Sequence, residues 1–154
     1  MASTIKNASS ELYERDYYAW LHGQMRALRE HRVEEVDWEN VAEEIEDLGK
    51  SERRGISSHL AMVVEHLLKL QYARGLFREY NARGWRVSVR SARRQICKLL
   101  NESPSLRPQL EAMLADAYED GRLEALRERR LKEDMLPKTS PWTLDQMMDD
   151  TFLP

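Results

Sequence analysis

Between Asp37 and Leu70 the apolar positions recur at alternating spacings of four and three. Val41, Ile45, Leu48 and Met62 lie on this stripe with Glu52, Gly55, His59 and His66, and Leu60, Val63, Leu67 and Leu70 widen it. That pattern predicts one long amphipathic helix that buries a face against other helices. Asp37 is placed to cap its start, Val36 and Val41 to staple across the cap, and Glu39, Glu43 and Glu44 to favour the positive end of its dipole. The apolar phase runs through Gly49 without a slip, so the helix is read as continuous.

The same periodicity predicts a first helix from about Ser10 to His31, with Tyr13, Tyr17, Trp20, Leu21, Gln24 and Leu28 on its inner face and Asp16 beside them. His31 to Val36 reads as the connection to the long helix. Asn81-Ala82-Arg83-Gly84 reads as a turn, followed by a third helix over Trp85–Leu100 that buries Trp85, Val89, Ala92, Ile96 and Leu99. A fourth helix, capped by Ser105, runs through Leu110, Met113, Leu114, Ala117 and Tyr118 towards Leu131, with Gly121 its weak point. Thr143 and Gln146 have capping-box spacing for a short last helix over Leu144–Met148. No stretch alternates as a strand would. The expectation is an all-α fold, a bundle of four main helices plus a short C-terminal helix, forming one domain over residues 10–154 behind a flexible segment 1–9.

Composition narrows the function classes. The 154 residues are 33% charged with few glycines and prolines, as suits a helix-rich soluble chain. A formal net charge of −3 gives no overall pull towards nucleic acid or anionic membrane. No apolar run approaches the roughly 20 residues of a membrane span, and no signal-peptide pattern opens the chain. The lone Cys97 excludes an internal disulfide framework and fits a reducing compartment. A cytoplasmic location is expected.

Four candidate chemistries remain. For metal, helical ligand pairs need spacings of three or four. His59 and His66 are seven apart, and Glu43 and Glu46, which do have the right spacing, would need a residue from another helix, so structural hydrogen bonding of the histidines ranks higher and no metal or cofactor is expected. Arg83, Arg86, Arg90, Arg94 and Lys98 form a basic stripe, with Arg93 adjacent. It could track phosphates or face the acidic stripe Glu39, Glu43, Glu46 and Asp47 inside the fold. The net acidity favours the second. Cys97 beside Arg93, Arg94 and Lys98 could be an activated thiol only if exposed. The apolar C-terminal tail (Trp142, Met147, Met148, Phe152, Leu153) either folds back onto the bundle or docks on a neighbour, folding back being favoured.

A set of residues in fixed order points further. Asp16 and Trp20 precede Asp37 and the run Ala42-Glu43-Glu44-Ile45-Glu46-Asp47-Leu48-Gly49. His66-Leu67-Leu68-Lys69, Trp85, Arg94, Ser103-Pro104-Ser105-Leu106 and Tyr118 follow, then Pro137, Pro141-Trp142 and Phe152-Leu153-Pro154. From Tyr13 to Pro154 the chain resembles domain-of-unknown-function family 29, small all-helical bacterial proteins abundant in cyanobacteria. The resemblance implies a compact helical fold without cofactor and no established activity. It singles out the carboxylates, His66 and Arg94 as polar positions that match. The family pattern carries a cysteine before the proline-aromatic pair where Ser140 stands here, which argues against a redox or metal role for that position.

The leading expectation is a protein-interaction or scaffold module, self-associating or binding another protein, with an acidic-histidine-arginine network that is structural. The alternative is a metal- or anion-dependent enzyme or ligand-binding bundle using Asp37, Glu43, Glu46, His66 and Arg94. Asp16, Glu52, His59 and Arg90 are secondary candidates. Whether it is an enzyme stays open, with the balance towards no. A nucleic-acid contact through the stripe Arg83–Lys98 ranks third.

Overall fold

The computed structural model describes residues 11–154, so the expected flexible segment 1–9 lies outside the described residues. The described chain is helical with no strand, in agreement with the all-α expectation. It divides into two compact units, residues 1–51 and 52–154.

The first unit is a helical hairpin. Residues 11–15 are helical and end at Asp16, whose carboxylate accepts from the Ala19 N–H at 3.0 Å and so caps helix α1, Tyr17–Arg29. The expected single helix from Ser10 is therefore divided at its own capping residue. Beyond α1, His31 takes the left-handed conformation (φ 56°) while Arg32 N–H reaches back to the Ala27 carbonyl at 2.9 Å. This is the Schellman closure that glycine usually supplies. A short 3-10 turn, Val33–Glu35, leads to Asp37 and helix α2, Trp38–Tyr72. α2 is continuous through Gly49, as its apolar phase predicts. Within the hairpin the two helices run antiparallel: Gln24 Oε1 accepts from the Asp37 N–H at 2.7 Å, and Tyr13 and Tyr17 donate to Glu44 at 2.7 and 2.6 Å.

The second unit holds the main core. It joins the second half of α2 to helix α3 (Gly75–Glu102), a 3-10 segment Pro104–Gln109, helix α4 (Leu110–Leu126) and the short helix α5 (Leu144–Met148). Ile56, Leu60, Val63, Val64, Leu67 and Leu68 of α2 are fully buried, among Val89, Ala92 and Ile96 of α3, Met113 and Ala117 of α4, and Met147 of α5. The capping box at Thr143 and Gln146 forms as its spacing predicts.

Further boundaries differ from the sequence reading. The stretch Asn81–Gly84 is inside α3, because its polar residues form the solvent side of a helix whose apolar side is already set by Ala82 and Trp85. Asn81 Nδ2 donates to the Phe77 carbonyl at 2.8 Å rather than closing a turn. The true break lies at Ala73–Arg74, where Gly75 has φ 59° and the Arg74 and Arg78 side chains satisfy the carbonyls of Gln71 and Leu70 at the end of α2. Downstream, α4 stops at Leu126 rather than Leu131, and Ser105 lies within the 3-10 segment instead of capping α4.

Gly121 is the opposite of a weak point. A Cβ there would stand 2.4 Å from the Ala61 carbonyl oxygen and 2.7 Å from Val64 Cβ, so α4 approaches α2 backbone to side chain. The apolar phase is lost at Gly121 because the contact there is made by the absence of a side chain.

Candidate functional site

The C-terminal tail folds back, held by an arginine that the sequence reading placed beside the basic stripe. Arg93, 1% exposed, donates from Nε to the Met147 carbonyl at 2.6 Å and from Nη2 to the Phe152 carbonyl at 2.9 Å. Burial pulls its pKa down, against the opposing pull of Asp150 and Asp149. On α4, Tyr118 Oη and Arg122 Nε both donate to the Pro137 carbonyl, at 2.8 and 3.0 Å. Burial pushes the Tyr118 phenol up to about 12. Ser140 Oγ accepts from the Trp142 N–H at 3.1 Å and donates to the Trp142 carbonyl at 2.7 Å, closing the turn that starts α5's approach. The Trp142 ring meets Phe152 edge-on.

Tyr118 with Pro137, and Trp142 with Phe152, are thus partners in space, and each pair belongs to one ordered residue pattern. The sequence profile of that pattern matches residues 12–153. The chain belongs to the family described as domain of unknown function DUF29. No curated protein and no solved structure matches it at a significant level.

In this DUF29 chain the residues that could carry chemistry are spread over both units. In the hairpin, Asp37 is buried at the start of α2, its carboxylate accepting from Asn40 Nδ2 at 2.8 Å. Glu43 and Glu46 are exposed further along α2, and Glu46 pairs with Lys50 at 3.1 Å. Six residues separate Asp37 from Glu43, which turns them to different sides of the helix. In the second unit His66 is half-buried and its Nδ1 bonds the Met62 carbonyl one turn back, at 2.9 Å. Glu52 accepts from Ser103 Oγ at 2.9 Å, and His59 is half-buried on α2. Arg90 and Arg94 are exposed on α3 and line a hollow with Asp150. Asp16 is the cap of α1 already described. Among the described residues no three of His, Cys, Asp and Glu stand close enough to hold a metal ion.

Two concave surfaces mark the second unit of this DUF29 protein. A cleft of about 640 Å³ lies between α4 and residues 133–140, with Leu114, Ala115 and Tyr118 among its walls and Glu111 and Glu119 beside them. A shallower hollow of about 520 Å³ is lined by Arg93, Arg94, Cys97 and Lys98 with Asn101, Glu102 and Asp150. In the first, the Tyr118 hydroxyl is engaged with the Pro137 carbonyl; in the second, Arg93 holds the tail through Nε and Nη2, and its buried Nη1 makes no hydrogen bond.

The hairpin differs in kind. On α1, Tyr17, Leu21, Met25 and Leu28 are exposed, and on α2 so are Trp38, Ile45 and Leu48, the last two at 64% and 68%. Sequence periodicity assigned Tyr17, Leu21, Leu28, Ile45 and Leu48 to buried faces. The correction has a geometric source. A helical stripe about a third of the circumference wide needs neighbours on two sides, and one antiparallel partner covers only the innermost row. That row is Trp20, Gln24 and Ala27 on α1, all buried. On helical geometry Tyr17, Leu21 and Leu28 stand on one flank of it, and the antiparallel pairing brings Trp38 and Ile45 to the same side of the hairpin.

Proposed function

We propose that this protein is a protein-interaction module whose binding element is the apolar side of the N-terminal hairpin. The observation that carries the reading is the exposure of seven large apolar side chains on two adjacent helices. Five of them, Tyr17, Leu21, Leu28, Trp38 and Ile45, fall on one side of the hairpin by helical geometry, and exposed apolar residues gathered in this way mark a site where another protein docks. The polar residues support the same reading. Asp16, Asp37, His66 and Glu52 each serve a cap or a hydrogen bond within the chain, the work of a structural network rather than of a reaction centre. The module acts in a reducing, intracellular setting, in keeping with the exposed free thiol of Cys97. No helix is long and apolar enough to cross a membrane among the described residues.

Photo-crosslinking tests this. A crosslinking amino acid at position 45 or 48 should give covalent protein adducts in cells that make the protein, whereas one at position 43, on the charged side, should give few. Equal yields from all three positions, or none from 45 and 48, would overturn the assignment.

A further inference from the structure

We infer that the occupant of the hairpin's apolar side is a second copy of this chain, so that two hairpins close into a four-helix bundle about a two-fold axis. The inference rests on reading the hairpin as the binding element and adds the identity of the partner. Three observations carry it. The first is extent: seven large apolar side chains, Tyr17, Leu21, Met25, Leu28, Trp38, Ile45 and Leu48, are each exposed over 38% to 68% of their surface, and a standard interface takes about 800 Å² from each partner. An antiparallel helix pair that is apolar on one side is also geometrically half of an up-and-down bundle.

The second is charge. α1, Tyr17–Arg29, contains Arg26 and Arg29 and no acidic residue. The opening of α2, from Trp38 to Gly49, contains Glu39, Glu43, Glu44, Glu46 and Asp47 and no basic residue, with Lys50 just beyond it paired to Glu46 and Asp47 and with Glu44 accepting from Tyr13 and Tyr17. A two-fold axis parallel to the helices places α1 of one copy over α2 of the other and runs them antiparallel. The basic helix then meets the acidic helix twice, once in each direction, as an isologous contact requires. A foreign partner would need the same division of charge in mirror order.

The third is the shape of the acidic helix's exposed side. Trp38, Ala42, Ile45 and Gly49 share one stripe, and a Cβ on Gly49 would meet nothing within 4 Å. The small residues leave room for a neighbouring helix to settle beside Ile45.

Sedimentation of the purified full chain over a concentration series is the test. The wild type should run at twice the chain mass. Ile45→Glu with Leu48→Glu should run as a monomer with its helical circular dichroism retained. Arg26→Glu with Arg29→Glu makes both hairpin helices acidic, and Glu39→Lys with Glu46→Lys makes α2 less acidic while α1 stays basic. Each charge variant alone should self-associate about ten-fold more weakly or worse, and an equimolar mixture of the two should recover a heterodimer. A wild type that stays monomeric throughout, or a mixture that gives no recovery, overturns the second-copy assignment. The broader reading survives that result if positions 45 and 48 still crosslink to a different protein, and falls with it if they do not.

Discussion

Helix α2 has two halves that share one apolar period and meet opposite fates. Beyond Ser51, Ile56, Leu60, Val63, Val64, Leu67, Leu68 and Leu70 are sealed in a core shared by α3, α4 and the returning tail. Before Ser51, Ile45 and Leu48 continue the same period into solvent. The difference lies in what the rest of the chain brings to each half. The second half is met by three further helices, the first half by α1 within its hairpin. One helix therefore serves as core in one unit and carries exposed apolar residues in the other.

Leucine truncation is the sharpest way to break that comparison. Leu67→Ala should cost about 2–5 kcal/mol of stability, because it opens a cavity in a fully packed site. Leu48→Ala should stay within about 0.5 kcal/mol at dilutions where the chain is monomeric, and should lower stability only as concentration rises. Denaturant titration at two concentrations reads both. Equal effects from the two leucines would erase the distinction between the halves.

Two glycines sharpen the picture inside the second unit. Gly121→Ala should destabilise by about 1–3 kcal/mol or more, since the added methyl meets the Ala61 carbonyl and Val64. Gly84→Ala, in the middle of α3 with nothing within 4 Å, should stabilise by about 1 kcal/mol. Thermal unfolding gives the sign of each. A loss at Gly84 would restore the turn that its neighbours suggested.

The smallest effect is spectroscopic and separates the units by cause. Tyr13 and Tyr118 are both pushed up to about 12, the first chiefly by its hydrogen bond to Glu44, the second chiefly by burial. A phenol whose folded pKa lies above its unfolded value near 10 favours the folded state fully below about pH 10. That contribution is lost as pH rises through about 12. Ultraviolet titration should show three of the six tyrosines, Tyr13, Tyr17 and Tyr118, ionising late. Glu44→Gln should return Tyr13 and Tyr17 towards 10 and leave Tyr118 in place, and Tyr118→Phe should remove the remaining late component.

The exposed apolar side of the hairpin was only half legible beforehand. Its residues are apolar and helical in period, so pattern alone assigned them to the core, and only their exposure made them a surface. Arg93 was harder still. It lies among Arg90, Arg94 and Lys98 in sequence, and nothing local distinguishes the one guanidinium that turns inward to hold carbonyls fifty-four and fifty-nine residues away.

What the amino-acid order determined alone is what depends on near neighbours. The capping box at Thr143, the continuity of α2 through Gly49 and the apolar face of α3 from Trp85 to Ile96 all follow from the pattern within a few turns. Tertiary structure decided which stripe found a partner, that Gly121 is a crossing point rather than a flaw, and that Asn81–Gly84 stays helical. Those outcomes turn on competition between distant segments for the same apolar surface, and periodicity records only that a face is apolar, never what covers it.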